Sequence, residues 1–313
     1  MYDLVIIGGG PAGYTAGMYA SRARLKVLLL SSIFIQSQTT TTAEVENYPG
    51  FPDSIGGFEL LERMKQHAVK FGLEVLDEQA ESIDQEMQDG KQIWKIKIGD
   101  KVLESLSLIA ATGAIPRELG IPGESKFKGR GVSYCAVCDA ALFKGKDIVV
   151  VGGGDTAIEE ALFLAKFVKS IKIIHRRDRL RATKILQEKV VAEQKINFVW
   201  NSNAEEITGE QKIEGVKIKN KMSGENSFVA CDGVFIFAGY LPNTDLFKRI
   251  VELNEEGYII ADDNMHTSQK GIFACGDCRK KLLRQVVTAC GDGATAAFSA
   301  QQYVESLCGT EYK

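Results

Sequence analysis

The apolar residues of this chain gather in short unbroken runs that end in glycine, and two of those runs set the plan of the whole. Leu4-Val5-Ile6-Ile7 leads into Gly8-Gly9-Gly10 and Pro11, followed by about 13 residues rich in Ala, Met, Tyr and Arg. A continuous apolar run closed by turn residues reads as a strand buried on both faces, and the segment beyond it has helix-forming composition. Val27–Leu30 is a second run of the same kind, so the chain opens with a strand–turn–helix–strand unit and a parallel sheet. The plan returns at Ile148-Val149-Val150-Val151 and Gly152-Gly153-Gly154, with a helix predicted over residues 156–168 and a strand over 171–174. Gly8 and Gly152 stand 144 positions apart, far beyond the roughly 20–50 residue period of a solenoid. Two domains of one design are predicted.

Between these units, residues 57–71 carry Leu60, Leu61, Met64 and Ala68 at helical spacing. Short alternating runs over 93–98 and 103–109 predict a β-meander, and a comparable meander is predicted over 213–218 and 227–237. Ala111-Thr112-Gly113 and Ala238-Gly239 each end a strand with small residues and precede prolines, at Pro116 and Pro122 and at Pro242. Those stretches, residues 114–117 and 241–245, are the hinge candidates. The predicted fold is α/β, two Rossmann-like dinucleotide-binding domains of three-layer ββα type, the second inserted into the first. Residues 1–113 and 246–313 form the discontinuous first domain and residues 114–245 the second.

Composition narrows the function. With 313 residues, 45% hydrophobic and 25% charged, the chain can bury two cores. Its 38 basic and 41 acidic residues leave a net charge of -3, so no general field draws it to nucleic acid or anionic lipid. The longest apolar stretch, near residues 27–35, is broken by Ser31 and Ser32 and is shorter than the ~20 residues of a membrane span. The opening MYDLVIIGGG has the pattern of a strand and not of a leader, and a cytoplasmic address is expected.

Gly8-x-Gly10-x-x-Gly13, with Pro11 and Ala12 between, sits after a strand and before a helix, the context that a dinucleotide fingerprint requires. The first glycine makes the turn, the second admits a pyrophosphate, and the third lets helix and strand pack. An acid that would bind ribose, expected about 20 residues on, is replaced by Ser31 and Ser32, so the adenosine end must be held differently. The second loop, Gly152-x-Gly154-Asp155-Thr156-Ala157, is followed after the next strand by His175-Arg176-Arg177-Asp178-Arg179-Leu180-Arg181. Cations at this place suit a 2′-phosphate, which points to NADPH over NADH.

Seven cysteines, an odd number in a long chain, read as thiols with at most one catalytic disulfide. Cys135-Ala136-Val137-Cys138 places two sulfurs within bridging reach ahead of the second loop, and Asp139 stands next to them as a proton shuttle. Cys275-Gly276-Asp277-Cys278 is a second pair. The 136 residues between the pairs exceed the roughly 15–20 of a four-cysteine zinc site, so no metal is expected and the second pair reads as buried thiols flanking a cofactor loop. Cys231, Cys290 and Cys308 read as small buried hydrophobes.

Together these residues make the chain resemble the low-molecular-weight thioredoxin reductase family over essentially its full length. The matching segments are GGGPAG at 8–13, TTTTAEVENYPGFP at 39–52, ATG at 111–113, CAVCD at 135–139, GGGDTA at 152–157, HRRDRLRA at 175–182 and GIFACGD at 271–277. The resemblance implies FAD at the first loop, with Thr112, Gly113, Gly276 and Asp277 around it. It also implies that Arg284-Gln285-Val286 and the helix from about Thr288 approach the isoalloxazine, with Asn47 beside it. Cys138 would face the flavin and Cys135 would attack the partner, a thioredoxin or thioredoxin-like protein. The implied path runs from NADPH to flavin, to the Cys135–Cys138 disulfide, to the partner disulfide, with rotation of the second domain about the two hinges; the family form is a homodimer. One segment departs from the family, Ile33-Phe34-Ile35-Gln36-Ser37-Gln38 standing where a Gly-Gly-Gln turn is usual. Rival readings are a same-fold reductase fed by ferredoxin, a reductase of a peroxidase module or glutaredoxin-like protein, and a non-catalytic redox sensor.

Overall fold

The computed structural model describes residues 1–32, 37–88 and 90–310. They divide into two compact units, Met1–Ile115 with Leu241–Lys313, and Pro116–Tyr240. The first unit contains β1 (Tyr2–Ile7), α1 (Pro11–Arg22), β2 (Val27–Leu30), α2 (Gly57–Lys70), β3 (Glu74–Leu76), β4 (Ser82–Gln88), β5 (Lys91–Ile98), β6 (Lys101–Ala110) and β7 (Ala114–Pro116). The second contains α3 (Glu124–Phe127), β8 (Val132–Ser133), α4 (Ala136–Asp139), β9 (Asp147–Gly152), α5 (Asp155–Ala165), β10 (Ser170–Ile174) and α6 (Lys184–Ala192). It continues with β11 (Ile196–Val199), β12 (Ser202–Thr208), β13 (Gly215–Asn220), β14 (Asn226–Ala230) and β15 (Gly233–Phe237), and β16 (Tyr240–Pro242) straddles the boundary back to the first unit. On returning to the first unit the chain forms β17 (Ile272–Ala274) and α7 (Val286–Cys308).

In the first unit the sheet runs β3-β2-β1-β6-β5-β4, with β17 also on β6. Strand β6 does double duty: its start pairs antiparallel with β5, and its end pairs parallel with β1 and β17. That explains its burial pattern, partly exposed at Leu103 and Glu104 and closed from Ser105 to Ala110. One sheet face packs Leu4, Ile6, Leu29 and Ile109 against α1 and α7, and the other buries Val5, Trp94, Ile96 and Phe247. Each such side chain removed from water contributes about 1.5–3 kcal/mol. Helices α1 and α7 touch through small residues; a Cβ on Gly293 would lie 2.3 Å from the carbonyl oxygen of Ala12.

The second unit holds a five-stranded parallel sheet, β11-β10-β9-β15-β8, and a three-stranded antiparallel sheet, β12-β13-β14. The stretch 227–237, expected to lie wholly in the meander, divides. Residues 227–230 stay in the small sheet within β14, whereas Gly233–Phe237 joins the parallel sheet beside β9. Its four apolar residues after the glycine do not alternate with polar ones, which is the pattern of a strand covered on both faces. Helix α5 starts one residue earlier and ends three residues sooner than the spacing predicts, because Lys166, Phe167 and Val168 close in a turn with N–H groups bonded to Phe163 and Leu164 carbonyls. Strands β7 and β16, where the chain crosses between units, pair with each other. No helix among the described residues is long and apolar enough to cross a membrane.

Candidate functional site

In the first unit the glycine loop, the 111–113 segment and the 275–278 turn meet at the ends of β1, β6 and β17. Gly8 has φ of +123°, and a Cβ there would come within 2.2 Å of the Ala111 carbonyl oxygen. Gly13 is tighter still, its Cβ position lying 1.9 Å from the Gly8 oxygen. Pro11 opens α1 and Gly10 precedes it, with no side chain capping the first turn, so its N–H groups remain for a ligand. The Gly276 position packs on Ala12. The Thr112 hydroxyl donates to the Asn243 carbonyl, and Asn243 N–H donates to Gly113 oxygen. Asn47 and Gln285, 238 positions apart, are joined by a 3.0 Å hydrogen bond, and Val286 packs on the Val45, Ile55 and Leu60 cluster. Arg284 lies over the Tyr258 ring at 4.1 Å. Two atoms here are buried with no hydrogen-bond partner among the described residues, Asp277 Oδ1 and Arg284 Nε. Burial, first, raises the Asp277 carboxyl above its ordinary range, with Lys281 and Arg284 opposing.

Asp292, on α7, holds this turn from behind. It accepts from the Gly276 N–H at 3.1 Å, from Arg279 Nε at 2.9 Å and Nη2 at 3.2 Å, and from Lys281 Nζ at 2.7 Å. Burial pushes its carboxyl up most strongly, yet the bonds from Arg279 and Lys281 outweigh that and leave it below the usual carboxylate value. The departure at Ile33-Gln38 lies mostly outside the described residues; Ser37 and Gln38 are described, and Gln38 Nε2 donates to the Ala114 carbonyl. The threonine run beyond folds on itself, with Thr40, Thr41 and Thr42 hydroxyls donating to the carbonyls of Ser37 and Gln38.

In the second unit Gly154 precedes α5 without a side-chain cap, and Ala157 packs into the core. Asp155 Oδ1 accepts from the Thr183 N–H at 2.7 Å, and Thr156 follows it in the first turn. His175 is buried against Gly153, and its Nε2 has no partner among the described residues. Burial lowers its proton affinity, the Arg179 carbonyl opposes, and the Arg176 and Arg177 charges lower it further. Arg176, Arg177 and Arg181 are exposed. The Arg181 N–H donates to the Gly153 oxygen at 2.7 Å, which ties the basic segment back onto the glycine loop. Phe198 and Trp200 stack at 4.6 Å beside His175.

Cys135 and Cys138 are joined as a disulfide with Cα atoms 5.4 Å apart. The pair starts α4, where Cys138 N–H donates to Cys135 Sγ at 3.1 Å. Cys138 is the more exposed of the two, and Asp139 is half-buried. The Ser133 hydroxyl brackets Cys135 by accepting its N–H and donating to its carbonyl. Tyr134 is anchored by a 2.6 Å bond to Glu124, a fully buried acid that also accepts from the N–H groups of Leu119, Gly120 and Ile121. Burial, and then Glu124, raises the Tyr134 phenol far above its usual value, so it acts as a fixed donor.

Cys275 and Cys278 are buried free thiols. Burial holds both above the usual thiol range, Cys278 at about 11, where Thr112 and Gly113 groups pull the other way. Among the other cysteines, Cys231 is buried as expected, Cys290 is half-buried beside the Tyr48 hydroxyl, and Cys308 is exposed, which corrects the reading of all three as core residues. Cys308 is the last residue of α7, where the helix runs out into solvent. No group of three or more His, Cys, Asp or Glu suited to a metal occurs among the described residues.

Asp292, Glu124, Ser133 and a further acid on α5, Glu160, are the residues that motif reading missed. For Glu160 a signal existed. It shares the helix face of Ala157, Ala161 and Leu164, so spacing alone puts an acid on the buried side.

The profile of the family described as pyridine nucleotide-disulphide oxidoreductase matches residues 2–293. The thioredoxin reductase of Bacillus subtilis (strain 168) is 48% identical over 308 residues, covering 98% of this chain and 96% of that protein. Among solved structures, Lactococcus lactis thioredoxin reductase has a TM-score of 0.93 and 45% identity, covering 98% of this chain and all of that one. The T. acidophilum thioredoxin reductase gives a TM-score of 0.90 at 34% identity, covering 98% and 99%.

Proposed function

Because this chain belongs to the pyridine nucleotide-disulphide oxidoreductase family, with thioredoxin reductases as its relatives, we propose that it carries electrons from NADPH through FAD and the Cys135–Cys138 disulfide to a thioredoxin. The observation that carries this reading is a disulfide built into the same unit as a glycine loop backed by arginines.

The residues present fit both cofactors. Around the first loop, Gly8, Gly10, Pro11, Ala12 and Gly13 would hold the FAD pyrophosphate, and Asn47, Thr112, Gly113, Gly276, Asp277, Arg284, Gln285 and Val286 the rest of the group. The orphaned Asp277 Oδ1 suits a ligand hydroxyl and the orphaned Arg284 Nε a ligand acceptor. Around the second loop, Gly152, Gly154, Asp155, Thr156 and Ala157 would hold the pyrophosphate of NADPH, and His175, Arg176, Arg177 and Arg181 its 2′-phosphate. When bound, FAD supplies the exchange between two-electron hydride chemistry and a dithiol.

Within the chain itself, reduction breaks the Cys135–Cys138 bond with two electrons, and Asp139 manages the proton beside Cys138. Cys135, as thiolate, attacks one sulfur of the partner disulfide; Cys138 then displaces the partner as a dithiol and the Cys135–Cys138 bond reforms. Ser133 and Tyr134 hold Cys135 in place for this exchange. Exposed cations contribute ~1.5–3 kcal/mol per charge-assisted bond, and ~1.4 kcal/mol is tenfold in affinity. Arg176→Ala with Arg177→Ala is therefore expected to shift the NADPH-over-NADH preference by about 100-fold or more. The same cations argue against a ferredoxin-fed enzyme, which has no use for a 2′-phosphate site. The five cysteines outside the pair are free thiols, which suits a reducing cytoplasm. A homodimer, the form expected of the family, is checked by sedimentation.

The test is purification with a scan for bound flavin, then NADPH-driven reduction of a thioredoxin, with Cys135→Ser and Cys138→Ser beside the parent. A colourless protein that does not take up FAD, or turnover that survives both substitutions, overturns the reading.

A further inference from the structure

Glu160 lies on α5, which packs beneath the disulfide-bearing α4, and it is 5% exposed. The N–H of Ala136, the fully buried residue between Cys135 and Val137, is the backbone group that pulls the Glu160 carboxyl toward its charged form. The other oxygen, Oε2, has no hydrogen-bond partner among the described residues. An acid that is buried beside the peptide following a reactive sulfur, with no cation paired to it among the described residues, is costly to keep. We propose that Glu160 is a positioning residue of the dithiol–disulfide couple, which holds the Cys135–Ala136 peptide and whose charge is coupled to reduction of the disulfide.

The charged groups of the surrounding elements are Asp155 and Glu159 on α5, Asp139 on α4, Lys184, Glu188 and Lys189 on α6, Asp147 on β9 and Lys172 on β10. Of these, Glu159 is the charge that registers at Glu160. Burial raises the Glu160 carboxyl from 4.5 to about 8, the Ala136 N–H opposes, and Glu159 adds to the rise. The acid is thus neutral at pH 7. Reduction adds two electrons to the Cys135–Cys138 bond and breaks it; one proton goes to one sulfur and the other sulfur remains a thiolate. That negative charge, one peptide from Ala136, opposes ionisation of Glu160. Between the proton affinities of Glu160 in the two redox states, reduction takes up one further proton from water. The equilibrium constant then changes an additional tenfold per pH unit, about 30 mV for a two-electron couple.

This inference rests on Cys135–Cys138 being the reducing couple, and its test is independent of which donor and acceptor the enzyme uses. The flavin-loaded protein is equilibrated in chemical dithiol–disulfide buffers across pH 6–10, and the midpoint of the Cys135–Cys138 couple is followed by alkylation. The parent is expected to show a steeper segment beginning near pH 8, and Glu160→Gln to lose it. In turnover, Glu160→Ala removes the carboxyl that faces the Ala136 N–H and is expected to lower kcat roughly tenfold with KM for NADPH unmoved, whereas Glu160→Gln recovers most of that loss. An unsegmented parent profile, or the same segment in Glu160→Gln, overturns the proposal. Should Glu160→Gln fail to fold, the reduced-minus-oxidised infrared difference spectrum of the parent, labelled with ¹³C-glutamate to separate Asp139, must show a protonated carboxyl band that shifts on reduction; its absence overturns the proposal equally.

Discussion

Replacing Asp292 with Asn tests how the first unit holds the turn from Gly276 to Lys281. The carboxylate receives four hydrogen bonds, from Gly276 N–H, twice from Arg279 and once from Lys281. The side chains of Arg279, Lys281 and Asp292 are 13%, 6% and 10% exposed. Asparagine keeps the shape and removes the charge, so two enclosed cations lose their counter-charge. Breaking a buried pair by removing one partner costs about 3–5 kcal/mol, a large part of the ~5–15 kcal/mol that a folded protein commands. Urea unfolding reads it through Trp94, buried in this unit, with Trp200→Phe as the common background to silence the second unit. The midpoint is expected to fall accordingly, and bound flavin to dissociate about tenfold more readily because Gly276, beside Asp277, loses its anchor. Adding Lys281→Met should recover part of the loss, since only one stranded cation remains. The sign in pH follows from the lowered carboxyl: its contribution is whole at pH 7 and is lost as pH falls through the folded value, below the ordinary 3.8. A loss under about 1 kcal/mol, or no recovery with Lys281→Met, would refute the reasoning.

Three further outcomes are expected. Gly13→Ala puts a Cβ 1.9 Å from the Gly8 carbonyl oxygen, backbone that cannot yield cheaply, so about 1–3 kcal/mol of stability and the bound flavin should be lost, read by unfolding and by absorbance after gel filtration. For Glu160 the folded proton affinity is raised from 4.5 to about 8, so the unfolded chain binds fewer protons over that interval and stability declines as pH rises through it. The fall is about 1.4 kcal/mol per pH unit at most; Glu160→Gln should flatten it, and parallel stability profiles at pH 6, 7 and 8 would contradict the assignment. In the oxidised enzyme a thiol reagent should label exposed Cys308 first and leave Cys275 and Cys278 untouched, with Cys308→Ser removing the fast phase; rapid labelling of the buried pair counts against their enclosure.

Much of the architecture is legible because it is local. The apolar runs at β1, β2, β9 and β10, and the glycine turns behind them, follow from spacing and from steric need, as at Gly8 and Gly13. Where prediction strayed, a strand's role depended on a partner distant in sequence. Gly233–Phe237 follows the meander strand Asn226–Ala230 closely along the chain, but β9 recruits it into the parallel sheet. The contact of Asn47 with Gln285, across 238 positions, has no trace in spacing.

The buried acids show why motif reading stops where it does. Asp292 and Glu124 bind backbone N–H groups, and a peptide donor carries no residue identity for a pattern to register. Their environments then separate their roles. Asp292 faces Arg279 and Lys281 and stays ionised, which suits an acid that locks a turn. Glu124 takes three N–H groups and a phenol, and its bonds are filled. Glu160 has an orphaned oxygen and no paired cation among the described residues, and burial drives it toward the neutral form. Glu160, raised to about 8, can change its charge near neutral pH, and it lies on the helix that packs against α4, the helix bearing the disulfide.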